Sequence, residues 1–480
     1  MKALNIIKFL CETWCGSDPE TLLILYKSLV RSHIDYGCFV YFLTRKDLRE
    51  KLEKIQYSTI RSTLGYRIST PTNILIAESK LPLIQDRTRF LCNSYLSKVL
   101  TNTCTQINKT INQYYLKKQK KNRLLKQCID DTLNITKNLH IHNHYDIYSF
   151  DFETVITSIP INTKIGKHLK QNVNPNTSFN KFISKHNSYT IYTDGSKVNG
   201  SNSVGTACIC QELNIIKKRN ITNTASVFTA ECIALNDALD IALLNPDHNF
   251  KIFSNSLSAL LCLQNPKIDI KTNSYIFKIR KKYNEFKQKS TNSNIELLWI
   301  PSHIGIQGNE KADILAKTAT VAQPDNGITI PFTDFHESLE YKCNLSTKKY
   351  IKEQGQIKGK DYFKYYYKNN NKPWFANKGL SQESIVTINR CRSDHYNLAA
   401  SLSRVGIIKE TKCECNANIQ DLNHIVWQCP LFDTQRLELV EKLKKCKLYL
   451  PLDIRLILSK PNIEASIHVY HFLKRCNLQI

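Results

Sequence analysis

Long apolar runs and acidic side chains are both scarce in this 480-residue chain. No apolar stretch approaches the ~18 residues that a membrane-crossing helix needs, which excludes a helical membrane protein. The first eleven residues, MKALNIIKFLC, have the outline of a signal peptide, yet Asn5 and Lys8 interrupt them and no small-residue cleavage site follows. Asp and Glu total 41 against 67 Lys and Arg, a formal net charge of +26. Such an excess, spread over several segments, points to a polyanionic partner, nucleic acid before membrane, because Lys and Arg release counterions from a phosphate backbone. An inert basic surface is the plain alternative. The expectation is a soluble intracellular protein of nucleus or cytoplasm, without a membrane partner.

Disulfide spacing is missing as well. The 17 Cys residues stand mostly singly in apolar stretches (Cys92, Cys208, Cys232, Cys262), as reduced, buried thiols do. One group near the carboxyl end is the exception. The length predicts about two to four domains, and 42% hydrophobic residues suffice for real cores.

Residues 1–100 read as helical. In SDPETLLILYKSLV, Asp18 is placed to cap and Pro19 to take the first helical position, ahead of a stripe of Leu22, Leu25, Tyr26 and Leu29. A second helix carries Leu48, Leu52 and Ile55 and ends at Gly65, and a third covers 83–100. Residues 101–187 turn polar and rich in Asn, Lys and Thr, as in KKQKKNRLLK and QNVNPNTSFNK, and read as a basic linker with some helix. His140, His142 and His144 alternate there, as metal ligands or as solvated side chains.

At 188 the pattern changes. SYTIYTDGS, SVGTACICQ and LNIIKKRNIT predict three strands, and VFTAECIALNDALDIALL predicts a helix with an apolar face. KIFSNS is a fourth strand, SLSALLCLQ and YIFKIRKKYNEFKQK are helices, IELLWIPSH is a fifth strand, and GNEKADILAKTA closes as a helix. Three strands followed by alternating helix and strand make a mixed α/β layer. Residues 323–380 read as a basic aromatic linker in which Tyr365, Tyr366, Tyr367 and Trp374 interleave with Lys364, Lys368 and Lys372, suited either to stacking on bases or to packing on a neighbour. Residues 381–480 read as a small helical module.

Four positions fall at strand ends or helix starts: Asp194 in TDGS, Glu231 in TAEC, Asn255 in FSNS and Asp313 in GNEKAD. With WIPSHIGIQGNEKADILAK, these motifs resemble the type-one ribonuclease H family in the form carried by non-LTR retrotransposons. The resemblance covers residues 188–322. It implies a mixed five-stranded sheet flanked by helices, and cleavage of the RNA strand of an RNA/DNA hybrid. In that family four carboxylates hold two Mg²⁺ ions, hard oxygen ligands offsetting the charge of the metal. Carried over by position, Asp194 bridges the ions, Glu231 and Asp313 ligate them, and His303 assists proton transfer or product release. Asn255 departs from the pattern. It offers one neutral carbonyl oxygen and an NH₂ group that repels a cation, so metal affinity and turnover are expected to fall.

LYKSLVRSHIDYGCFVY and IQYSTIRSTLGYRISTP resemble the helical region after the palm of jockey-like reverse transcriptases, although no paired aspartates of the YADD kind occur in the chain. In CECNANIQDLNHIVWQCPLF, the residues Cys413, Cys415, His424 and Cys429 have the composition of a tetrahedral structural Zn²⁺ site, with C-x-C tighter than the usual C-x-x-C. Four unrelated residues are the other reading. His395, four residues after Cys391, is a rival ligand, or else a packed or solvent-facing side chain. The preceding INRCRSDHYNLAASLSRVGIIKETKCECN resembles the carboxyl-terminal segment of the same elements. Three readings of function stay open: an impaired RNA/DNA hybrid endoribonuclease, a non-catalytic nucleic-acid binding module, and an inactive retrotransposon relic.

Overall fold

The computed structural model describes residues 2–11, 16–41, 46–101, 106–116, 123–141, 150–184, 187–198, 203–269, 271–290, 292–323, 325, 327–460 and 463–480. They form two compact units, one of residues 1–92 with 341–480 and one of residues 93–340. Among the described residues no helix is long and apolar enough to cross a membrane.

The unit of residues 93–340 is built on a mixed sheet of β1 (Ile161–Asn162), β2 (Tyr189–Ser196), β3 (Ser203–Cys210), β4 (Ile215–Thr222), β5 (Phe250–Ser254) and β6 (Ile295–Trp299). Their order is β1-β6-β5-β2-β3-β4. The first three predicted strands are the antiparallel run β2, β3 and β4, and the two that follow helices, β5 and β6, pair in parallel because each returns through a crossover. β3 is buried along its whole length, as a strand covered on both faces must be. The helices Val227–Leu244 and Gln307–Ala319 both pack on β2 and β3. Gly205 makes one of these approaches possible: a Cβ there would fall on the backbone of Ala316.

The sixth strand is a correction to the predicted five. β1 comes from the stretch expected to be a linker and pairs in parallel with β6 at the sheet edge, Ile161 opposite Leu297. The cause is non-local. Arg280, fully buried on the helix Ser274–Lys289, donates to the carbonyls of Val155, at 2.7 Å, Cys262, at 2.9 Å, and Asn265. Ile159 donates its amide to the Leu263 carbonyl at 3.1 Å. Two helices of the same stretch, Lys164–Lys170 and Pro175–Ile183, bury Leu169 and Phe179 against Tyr192, Phe253 and Leu298. A polar average conceals these few anchors. His140 bonds Thr329 through Nδ1 at 3.0 Å, while His142 and His144 lie outside the described residues.

The other unit is helical. Asp18 caps Pro19–Leu25 through the amides of Glu20 and Thr21, Lys46–Leu64 ends at Gly65 with φ +68°, and Ile84–Leu100 follows. Its core is common to both ends of the chain: Tyr26, Ile60, Leu64 and Ile74 join Tyr362, Phe375, Ile385, Ile425, Leu443 and Phe472. Asn389 donates to the Leu64 carbonyl at 3.0 Å and Arg390 to that of Gly65 at 2.6 Å. The aromatic stretch, read from sequence as suited either to stacking on bases or to packing on a neighbour, packs into this core. Tyr362, Tyr366 and Phe375 are buried, Tyr365, Tyr367 and Trp374 pack against the same cluster, and Arg392 lies over Tyr366 and Trp374. The lysines point outward because only the rings gain by leaving water. Cys92, Cys208 and Cys232 are buried thiols as expected, whereas Cys262 is exposed on the helix Leu257–Gln264.

Arg280→Met removes the donors to three backbone carbonyls, and an unsatisfied buried polar group costs about 1–3 kcal/mol. The expected loss is about 3 kcal/mol or more, measured by urea unfolding. Proteolysis near residues 150–160 should accelerate with it. Unchanged stability would show that the arginine does not hold this stretch.

Candidate active site

Register places the first two residues of the site. β2 and β5 run in parallel with Thr193 opposite Ser254, so the next residues, Asp194 and Asn255, emerge side by side at the carboxyl ends of neighbouring strands. The Thr193 hydroxyl donates to the Phe253 carbonyl at 3.1 Å, which fixes the strand ends further. Glu231 comes from the first turns of Val227–Leu244, whose amino end Ser226 caps. Gly195 lets that helix approach, since a Cβ there would lie 2.7 Å from the Glu231 amide nitrogen. Asp313 stands midway along Gln307–Ala319.

The charges of this group are expensive. Asp194 is 3% exposed, and burial, aided by the neighbouring Asp313 carboxylate, pushes its pKa up to about 6. Glu231 is 5% exposed and raised well above the usual carboxylate range, by burial first and the Asp194 charge second. Its Oε2 is buried with no hydrogen-bond partner among the described residues. Neighbouring groups offset part of this cost. Lys317 Nζ lies 2.6 Å from Asp313 Oδ2, and Asn255 Nδ2 donates to Asp194 Oδ1 at 2.7 Å. A carboxylate only accepts, so the amide nitrogen of Asn255 must face it. The Asn255 backbone is held by the Trp299 indole, which donates to its carbonyl at 3.1 Å.

His303 is exposed on the turn before the last helix, with φ +56°. It groups with Asp313 and with Glu310, a residue that the motif reading did not single out; one ligand atom of each lies within 4.8 Å of the others. Glu310 precedes Asp313 by three positions, so helical periodicity within NEKAD was the available signal. All five predicted positions therefore belong to one end of the sheet and the helices that border it.

The cysteine and histidine positions also come together, in the helical unit. Cys413 Sγ and Cys429 Sγ are 3.8 Å apart, Cys415 Sγ and His424 Nε2 are 3.2 Å apart, and the four ligand atoms all lie within 4.8 Å. The loop is closed by a turn in which the Asn416 amide donates to the Cys413 carbonyl at 2.9 Å and the Cys413 amide to the Ala417 carbonyl at 2.9 Å, with Asn416 at φ +70°, and Asp421 caps the short helix Leu422–Trp427 that carries His424. Tetrahedral coordination with metal–sulfur bonds of ~2.3 Å demands sulfur–sulfur edges of about 3.8 Å, the separation of Cys413 and Cys429. His395 is no rival. Its Nδ1 bonds the Ser69 hydroxyl at 2.9 Å, and burial lowers its pKa to about 4.

Comparison with known families adds one finding: residues 186–321 match the RNase H family model. No curated protein matches the chain. The matched residues span β2 to the end of Gln307–Ala319, the part of the sheet that carries the carboxylates. The chain thus contains a ribonuclease H domain. The family in general cleaves the RNA of RNA/DNA hybrids, binds nucleic acid and uses divalent metals.

The raised pKa of Asp194 fixes the sign of a pH effect. The folded protein binds a proton there that the unfolded chain has released, so stability falls as pH rises from about 4 through 6 and stays reduced above that. Asp194→Asn removes the burden and keeps an acceptor for Asn255. In EDTA at pH 7.5 the variant should be more stable by about 3 kcal/mol, with the difference vanishing near pH 4. Thermal melts across that range check it, and a difference that does not depend on pH would contradict the assignment.

Proposed function

We propose that residues 186–321 form an RNA/DNA hybrid ribonuclease H domain whose hydrolytic activity is impaired by Asn255. The observation behind this reading is the hydrogen bond from Asn255 Nδ2 to Asp194 Oδ1, because it sets an amide where a fourth carboxylate would complete the acidic group. The remaining donors suit a divalent metal. Asp194, Glu231 and Asp313 supply hard oxygen atoms, and Glu231 Oε2 has no hydrogen-bond partner among the described residues. These three residues would hold the Mg²⁺ ions, with Asn255 contributing only a neutral carbonyl oxygen. When bound, the metal supplies an activated water and charge stabilisation at the leaving oxygen of the cut phosphodiester. Asp194 orients the site through its fixed place at the strand end. His303, exposed on its turn, would assist proton transfer or product release at the edge of the site. Asp313 is the member a nearby cation already reaches, through Lys317.

The second reading, a nucleic-acid binding module without turnover, has the same hydrogen bond in its favour, since Asn255 already gives Asp194 a partner without metal. The excess of 67 basic over 41 acidic residues supports hybrid binding under either reading. The resemblance of the flanking segments supports an origin in the carboxyl-terminal part of a non-LTR retrotransposon polyprotein. Cys413, Cys415, His424 and Cys429 we assign to one structural Zn²⁺, because three thiolates and an imidazole close a tetrahedral shell.

Asn255→Asp restores the missing charge and should raise Mg²⁺-dependent cutting of the RNA strand by about a hundredfold or more. Wild type, Asn255→Asp, and Asn255→Asp with Asp194→Asn are compared on one labelled hybrid, with binding measured at about 50 and 200 mM salt. Wild-type cutting equal to that of the single variant would mean that Asn255 is a tolerated ligand. Salt-sensitive binding with no cutting by any variant would favour the binding module.

The zinc assignment is checked by metal analysis. Cys413→Ser with Cys429→Ser should lose one zinc per chain and lower the melting temperature of the helical unit, whereas full zinc retention would refute it.

A further inference from the structure

A second set of metal-binding groups meets elsewhere in the helical unit. Cys446 ends the helix Asp433–Lys445, and Glu464 and His468 stand one turn apart on Ile463–Arg475, which packs against it. One ligand atom of each lies within 4.8 Å of the others. The Cys446 thiol is hydrogen-bonded to the Glu464 carboxylate, and His468 Nε2 is 3.8 Å from Glu464 Oε1. The other ring nitrogen, Nδ1, is buried with no hydrogen-bond partner among the described residues. A thiol, a carboxylate and an imidazole meet here.

We propose that Cys446, Glu464 and His468 bind a thiophilic divalent cation, zinc foremost, as a three-ligand site with its fourth position open to solvent. Thiolate and carboxylate together balance the charge of the ion, and imidazole adds a neutral nitrogen of matching softness. The site differs in kind from the Cys413 cluster. That one is closed by four protein ligands, whereas this one joins two helices by three, so its metal should exchange faster and its occupancy should follow the free zinc concentration. Metal here would tie the end of one helix to the next and stiffen the carboxyl-terminal part of the core.

The test uses the full chain dialysed against zinc buffered at micromolar free concentration. Wild type should carry two zinc ions per chain, Cys446→Ser with His468→Gln one, and Cys413→Ser with Cys429→Ser the other one. Equal zinc content in wild type and the Cys446/His468 variant overturns the proposal. Should that variant fail to fold, the wild-type protein still decides the matter through peptide-resolved alkylation. Zinc should slow labelling of Cys446 at least tenfold, and equal rates with and without zinc refute the site. Because Cys446 is read separately from Cys413 and Cys429, loss of the first zinc assignment leaves this one distinguishable.

Discussion

The parallel pairing of β2 with β5 is the constraint on which the ribonuclease H domain depends. Its register sets Thr193 opposite Ser254 and so brings Asp194 and Asn255 out together at the strand ends. Slipping the pairing by one residue would turn one of these side chains to the opposite face of the sheet. The same pairing buries Ile191, Ile252 and Phe253 and gives the helices Val227–Leu244 and Gln307–Ala319 a fixed surface to pack on. Glu231 and Asp313 reach the site only because those helices are seated. Position within the site therefore follows from backbone hydrogen bonding across the sheet, with side-chain chemistry added at the end.

That chemistry works against the fold. Burial raises the proton affinity of Asp194 and Glu231, the Asp313 charge adds to it at Asp194 and the Asp194 charge at Glu231, and the protein offsets part of this with Lys317 on Asp313 and an amide on Asp194. Sites that bind cations carry this kind of stored cost, since the ion that relieves it is supplied by binding. Asn255 lowers the cost by one charge. Its amide also gives the buried Asp194 carboxylate a hydrogen-bond donor, which favours the charged form there.

In the helical unit the two ends of the chain form a single core, and the aromatic rings of 361–375 supply much of its bulk. Buried hydrogen bonds tie the halves, among them Asn389 to the Leu64 carbonyl and Ser346 and Thr347 to Asp86. The Cys413 cluster sits on this core with Cys413 and Cys429 inside it, so its thiols are held close together by packing as well as by the local turn.

Sequence alone determined what depends on local order: the Asp18 cap, the helix end at Gly65, the alternation of strand and helix from 188 onward, and the motif positions of Asp194, Glu231, Asn255, His303 and Asp313. It also grouped Cys413, Cys415, His424 and Cys429, because ligand spacing within a short loop is a local property. Tertiary structure alone decided the rest. β1 forms because Arg280, more than a hundred residues away, captures the Val155 carbonyl. The tyrosines of 365–367 turned inward because a core assembled from both chain ends was there to receive them, and Glu310 joined His303 and Asp313 because a turn and a helix meet. Cys446, Glu464 and His468 are separated by other residues in sequence and are neighbours only because two helices pack. Short-range pattern reveals which side chains are available; which of them meet is set by contacts between distant segments, whose free energy no local window contains.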